Sequence, residues 1–295
     1  MTLSLRLCLV TVLLSAVTCF RPQVSFVVRS TTLHGTTLES PPPAAVDKVV
    51  VLPDAAAVGH KIRDIVVSAA NAAIAERGSF ALAIPGGSIL KMLVGDDILG
   101  DWTSKTTIAY VNHKCVDMTD ATLATHAKAM SLFMGKWEGC NPIVMDGTSN
   151  GDAEAASYER QLKGLSESVL PRDDKGMPVF DLALIGVGDD GHIGSLYPGR
   201  EEVLETDAWV IPVAMKSPPS ITLSLPVMAN AKQVVVAACG VSDKYPQGKS
   251  AGMQRAVVAK GETLKTFPAV GLRAVATWVM DEAAASKLGD AYTSK

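Results

Sequence analysis

The amino-acid sequence predicts an α/β fold, a doubly wound and mostly parallel sheet with helices on both faces. Two observations carry this. Short β-branched runs alternate with longer Ala-rich stretches after the Pro41-Pro42-Pro43 linker, as strands and crossover helices do in a parallel sheet. One run, Leu182-Ala183-Leu184-Ile185, passes directly into a turn punctuated by Gly186, Gly188 and Gly191, as a buried strand does where it ends at a sheet edge.

The elements follow in order. Val-Val-Val-Leu at 49–52 reads as the first strand and the Ala-rich stretch 55–76 as the first helix. An apolar run at 80–84 leads through a glycine pair into a short helix at 90–94. Strands at 107–111 and 143–145 flank a helix over 121–133, and a helix over 153–170 precedes the strand at 181–185. Strands at 209–213, 221–225 and 234–238 come next, then helices over 250–260 and 280–288. The polar connections 147–151 and 171–178 read as surface loops. With neither an internal repeat nor a membrane-spanning run in view, residues 45–295 are expected to form one domain.

Composition narrows the function. The 295 residues are 48% hydrophobic with a net charge of −3, and no basic run with interleaved aromatics suggests nucleic acid. The amino terminus reads as a separate object. Arg6 precedes the apolar run Leu7 to Val17, which is shorter than a membrane span and is expected to be a cleavable signal peptide over residues 1–19. Residues 20–44 are rich in Ser, Thr and Pro, carry Arg21 and Arg29, and have no acid before Glu39; they resemble a transit peptide with its linker. With Phe20 at the junction, the pair resembles the two-part presequences of algae with plastids of secondary origin. Plastid delivery is therefore the expectation, with plain secretion as the alternative. Outside the leader only Cys115, Cys140 and Cys239 remain, an odd and scattered set with neither metal spacing nor a disulfide framework.

The chemistry concentrates between Asp181 and Pro198, where the strand delivers Asp189, Asp190 and His192 to its carboxyl end. In open α/β sheets, ligands bind at those ends. Gly186, Gly188 and Gly191 satisfy a G-x-G-x-x-G spacing, yet a dinucleotide site is rejected: two carboxylates would crowd the pyrophosphate, and Pro198 would interrupt the helix that should bind it.

As a whole the stretch closely resembles the signature of the 6-phosphogluconolactonases, Asp-Leu, two apolar residues, Gly-x-Gly-x-Asp-Gly-His-Thr-Ala-Ser-Leu-Phe-Pro, with Ile193, Gly194 and Tyr197 as conservative departures. The related glucosamine-6-phosphate deaminases place a glutamate where Tyr197 stands, which disfavours deaminase chemistry. A second block, Ala81-Leu-Ala-Ile-Pro-Gly86-Gly87-Ser88-Ile-Leu, is a strand, a glycine pair and a hydroxyl at a helix start. From the residues alone it reads as a strand-to-helix turn with Ser88 as N-cap. It also resembles the family's Gly-Gly-Ser-Thr, which holds the sugar phosphate.

Two further blocks depart from the pattern. The family's Asp-Glu-Arg is matched by Asn112-His113-Lys114, so Lys114 keeps a charge but not the forked geometry of a guanidinium. His113 reads as a surface or hydrogen-bonded structural histidine, since no partners stand at ligand spacing. The family's Pro-Pro-x-Arg-Ile-Thr-Leu-Thr-Leu-Pro is matched by Pro218-Pro219-Ser220-Ile-Thr-Leu-Ser-Leu-Pro226, with Ser220 for the arginine and Lys216 a few residues earlier. Gly240 and the later Gly248-Lys249 resemble a family Gly-x-x-Lys split by an insertion around Val241 to Gln247, with Lys244 competing with Lys249 for the place of the lysine. Pro268-Ala269, Trp278 and Asp281-Glu-Ala-Ala284 resemble the closing pattern and read as packing and capping positions.

The resemblance spans residues 49–288 and implies the modified Rossmann-like fold of that superfamily. It also implies hydrolysis of 6-phosphoglucono-δ-lactone with no metal or organic cofactor, by a chain expected to act as a monomer away from membranes. His192 would be the general base. Asp190 would orient the turn or the imidazole, Gly86, Gly87 and Ser88 would cradle the substrate, and Lys114 and Lys249 would neutralise phosphate. The alternative is a noncatalytic or altered-specificity sugar-phosphate binder, because two arginines and a carboxylate of the pattern are missing.

Overall fold

Seven strands lie side by side, all parallel, in the computed structural model, which describes residues 40–240 and 248–293. They are β1 (Val49–Leu52), β2 (Phe80–Ile84), β3 (Thr106–Tyr110), β5 (Asn141–Pro142), β6 (Leu182–Gly186), β9 (Gln233–Ala238) and β10 (Ala276–Asp281), in the order β1-β10-β9-β6-β2-β3-β5. Three short strands, β4 (Asn112–Lys114), β7 (Val210–Val213) and β8 (Ser220–Leu223), form a separate antiparallel sheet in the order β4-β8-β7. The expected signal peptide and all of the transit-like segment up to residue 39 lie outside the described residues.

Both faces of the large sheet are covered, and the alternation of side chains along its strands shows how. Phe80, Leu82 and Ile84 of β2 face one core with Val58, Ile62 and Val66 of α1 (Ala55–Arg77). Ala81 and Ala83 face the other, with Tyr158 and Leu162 of α4 (Gly151–Gly164) and Met253 and Ala256 of α6 (Ser250–Val257). Asp54 caps α1 by accepting from the Ala57 amide at 2.8 Å, and Asn150 does the same for α4 through Ala153 at 3.1 Å.

The chain steps outward from β2 through β3 to β5, whereas β6 lies on the other side of β2 and leads to β9 and β10. The strand order therefore reverses between β2 and β6, whose Leu82 and Ala83 pair with Leu182 and Ala183. This is the switch point at which open α/β sheets leave a crevice beyond the carboxyl ends of their strands.

Several expectations fail here: the strand expected at 143–145 is instead β5 at Asn141–Pro142, the residues that pair with β3. Residues 276–281 form β10 between β1 and β9, so the helix expected over 280–288 is confined to α7 (Glu282–Ala285), with Asp281 as its cap through the Ala284 amide. A short apolar run buried on both faces has no periodicity to distinguish it from helix, and the neighbouring alanines pulled the reading the wrong way. β4 was not expected either, because Asn-His-Lys has no hydrophobic pattern and becomes a strand only by pairing with β8. Residues 40–44, read as linker, lie against the body: the Ala44 amide donates to the Val257 carbonyl at 2.8 Å, and the buried Arg273 donates to the Pro41 carbonyl at 2.8 Å.

Candidate active site

The turn after β6 is held by its own residues. The Gly188 amide donates to the His192 carbonyl at 2.9 Å and the Gly191 amide to the Gly188 carbonyl at 3.0 Å, which returns the chain beside its outgoing path. Within it, one oxygen of Asp190 meets His192 twice, at the backbone amide (3.1 Å) and at imidazole Nδ1 (2.6 Å). Burial works to raise the Asp190 carboxyl, but the hydrogen bonds from the His192 ring and amide outweigh it and hold the group below the usual carboxylate range. An ionised Asp190 accepts from Nδ1–H, which fixes Nε2 as the basic nitrogen.

Glycine is required at two points of this turn. A Cβ on Gly188 would lie 2.1 Å from the His192 ring atoms and 2.7 Å from Asp190 Oδ1, so only a bare backbone lets the imidazole fold over it. A Cβ on Gly191 would stand 2.4 Å from the Phe267 ring, which packs beneath the turn, and Gly191 also has φ +85°. Asp181, at the other end of β6, is structural: its buried carboxylate accepts from Arg77 and from the Ala81 amide.

Because β2 and β6 are neighbours, the Gly86-Gly87-Ser88 turn stands beside this one. Ile89 touches Gly186, since a Cβ there would lie 3.7 Å from Ile89 Cδ1. Gly87, not Ser88, occupies the N-cap of the short helix α2 (Ser88–Met92), and Ser88 is its first residue. Gly87 and Ser88 are exposed, and the amides of Gly86 and Gly87 donate to no backbone carbonyl among the described residues. They are donors available to an anion.

The small antiparallel sheet supplies the third wall. Lys114 is directly opposite Ser220, and Asn112 directly opposite Thr222, so all four share one face. That face meets the chain just beyond His192: Asn112 Nδ2 donates to Ser195 Oγ at 3.2 Å, and the Ser195 amide donates to Thr222 Oγ1 at 3.1 Å. The Lys114 ammonium has no ion-pair or hydrogen-bond partner among the described residues. The positions where the family pattern has its two arginines are thus one cross-strand pair. Since Asn112 also stands for an aspartate, this face lacks one carboxylate and both guanidiniums of the pattern and keeps a single ammonium, that of Lys114.

His113 points the other way and is buried. Its Nδ1 donates to the Lys114 carbonyl at 2.6 Å and its Nε2 accepts from the His126 amide at 3.0 Å, so the ring is a neutral strut. Burial lowers its pKa, ahead of the opposing pull of the Lys114 carbonyl. Lys249 is also buried, and its ammonium donates to the Val187 carbonyl at 2.8 Å, at the root of the catalytic-type turn. Lys244 lies outside the described residues.

Tyr197 joins the site through two contacts that no local sequence pattern announces. Its ring centroid lies 4.9 Å from that of His192, and the Lys216 ammonium sits 4.6 Å from the same centroid, as a cation over an aromatic face. Two hollows lie elsewhere: about 550 Å³ between α4 and β7, and about 370 Å³ between α1 and α2, the latter lined in part by Ser88.

Residues 53–278 match the family model of glucosamine-6-phosphate isomerases/6-phosphogluconolactonase. The chain belongs to this family. Among its relatives, a probable 6-phosphogluconolactonase 2 of Arabidopsis thaliana is 34% identical over 236 residues, covering 74% of this chain and 87% of the relative. The 6-phosphogluconolactonase 3, chloroplastic, of the same plant is 29% identical over 227 residues, covering 72% of this chain and 66% of the relative. The crystal structure of 6-phosphogluconolactonase from Leishmania guyanensis superposes with a TM-score of 0.67 at 21% identity, covering 82% of this chain and 98% of that one. The Trypanosoma brucei enzyme gives 0.63 at 20% identity over 85% and 100%. At such identities, these two structures speak for the family fold.

Proposed function

We propose that this member of the family hydrolyses 6-phosphoglucono-δ-lactone to 6-phosphogluconate, the lactone-opening step of the oxidative pentose phosphate pathway. The observation that carries the reading is the Asp190–His192 pair, set at the switch point beside a cradle of unpaired amides. Relatives named 6-phosphogluconolactonase support it.

His192 Nε2 takes a proton from water as the oxygen adds to the lactone carbonyl. The tetrahedral oxyanion then collapses, the bond from the carbonyl carbon to the ring oxygen breaks, and the imidazolium returns its proton to that oxygen, leaving the open acid. Asp190 holds Nδ1–H and stabilises the imidazolium. Gly86, Gly87 and Ser88 receive the anionic substrate with Lys114, while Lys249 places a positive charge beneath the turn. Hydrolysis of freshly generated lactone above its spontaneous rate tests the reading; a purified chain no faster than buffer would leave the noncatalytic sugar-phosphate binder, a reading that the losses at Asn112 and Ser220 favour.

Residues 1–19 act as a signal peptide and the stretch from 20 up to the packed strap at 40–44 as a transit-like segment, delivering the enzyme to a plastid. Relatives named chloroplastic support the destination. Fused to a fluorescent protein in an alga with a secondary plastid, this leader should carry the reporter into the organelle; export to the medium would favour secretion instead.

A further inference from the structure

We propose that Lys216, seated on the Tyr197 ring, is a second anion-binding residue of this site and takes the place of the charge missing at Ser220. The inference rests on the lactonase reading for the identity of the anion, a sugar phosphate, but its geometry is independent of it.

Tyr197 is nearly buried and shares its ring between two neighbours, the His192 imidazole at 4.9 Å and the Lys216 ammonium at 4.6 Å. The aromatic face holds the cation by its quadrupole while leaving the N–H groups directed to solvent available. No carboxylate lies within ion-pair distance of Lys216 among the described residues, so its charge is not already neutralised by the protein. Lys216 is carried by the connection from β7 to β8, four residues before Ser220, which pairs with Val213 on one side and Lys114 on the other. A serine there leaves the room a guanidinium would fill. A flexible lysine on this connection can bring its charge to the same anion as Lys114, with the His192 imidazole against the same tyrosine ring.

The test uses the full chain and its variants Lys216→Met, Lys216→Arg and Tyr197→Leu. Lys216→Met should raise KM for the phosphorylated lactone about tenfold, the scale of one charge-assisted contact, and change kcat much less. Lys216→Arg should restore most of the loss, since guanidinium also stacks on tyrosine. Glucono-δ-lactone, which lacks the phosphate, should be handled equally by the parent and Lys216→Met. Tyr197→Leu should lower affinity for the phosphorylated substrate with Lys216 still present. An unchanged KM in Lys216→Met, or an equal loss on the unphosphorylated lactone, overturns the proposal. Calorimetric titration with 6-phosphogluconate separates the two readings: a parent without lactonase activity overturns the function, yet weaker binding by Lys216→Met still upholds this residue. Equal binding by both proteins, or none by either, overturns it.

Discussion

The turn that bears His192 and the sheet face that bears Lys114 lie side by side, but they are built in opposite ways. The turn closes on itself: its hydrogen bonds run between residues 188 and 192, and Asp190 reaches His192 across two positions. The face is assembled from strands some hundred residues apart, Asn112–Lys114 against Ser220–Leu223, and is hydrogen-bonded to the chain beyond the turn through Ser195. The self-contained region keeps the family pattern, whereas the assembled one has lost a carboxylate and two guanidiniums. An acid–base pair tolerates little change because one proton must move between fixed atoms; an anion site can be rebuilt from any cations that reach it.

The sharpest break in that comparison is His192→Ala, which should cost about 10² to 10⁴ in kcat with the fold intact by circular dichroism. Activity equal to the parent would remove His192 from the chemistry. Gly188→Ala tests the turn without touching a titratable group. Its Cβ, 2.1 Å from the ring, must push the imidazole off Asp190, and kcat should fall about 10²-fold with KM little changed. On the assembled side the split should invert: Lys114→Ala should raise KM about tenfold and leave kcat within a few-fold. Lys114→Arg should bind at least as well as the parent.

The smallest effect concerns the strut behind the face. His113 is neutral when folded, with its pKa lowered from 6.5, so below about that pH the unfolded chain binds a proton that the folded chain refuses. Stability is then complete above pH 6.5 and falls as pH drops toward the folded pKa, by up to about 1.4 kcal/mol per unit. His113→Gln should flatten that slope in urea titrations between pH 7 and 5.5. A slope unchanged by the substitution would assign it to other groups.

The same contrast explains what could be read in advance. Strands 49–52 and 80–84 match β1 and β2 to the residue, and His192 stands out because glycines and carboxylates surround it within a dozen positions. β4 stayed hidden because its strand character resides in β8, and the facing of Lys114 with Ser220 is a fact of register that no local pattern contains. Ser88 read as an N-cap because a hydroxyl usually takes that place; the chain instead puts Gly87 there at φ +84° and leaves the serine on the first turn. Lys249 read as a cation for the phosphate, and nothing in its sequence surroundings showed that the lysine would be buried with its ammonium on the Val187 carbonyl.

The strap at residues 40–44 sets a ruler for proteolytic trimming. Arg273 spends its guanidinium on four carbonyls, three at the end of α6 (Arg255, Ala256 and Ala259) and one at Pro41, while the Tyr292 hydroxyl donates to Ala44. A cut just after Ala44, where composition alone would put the border, removes two of these acceptors and leaves a buried cationic donor short of a partner, at about 1–3 kcal/mol. A chain beginning at Ser40 keeps both. Thermal unfolding of the two trimmed forms should therefore differ by several degrees, and a protease that matures this protein gains a more durable product by stopping upstream of the proline run.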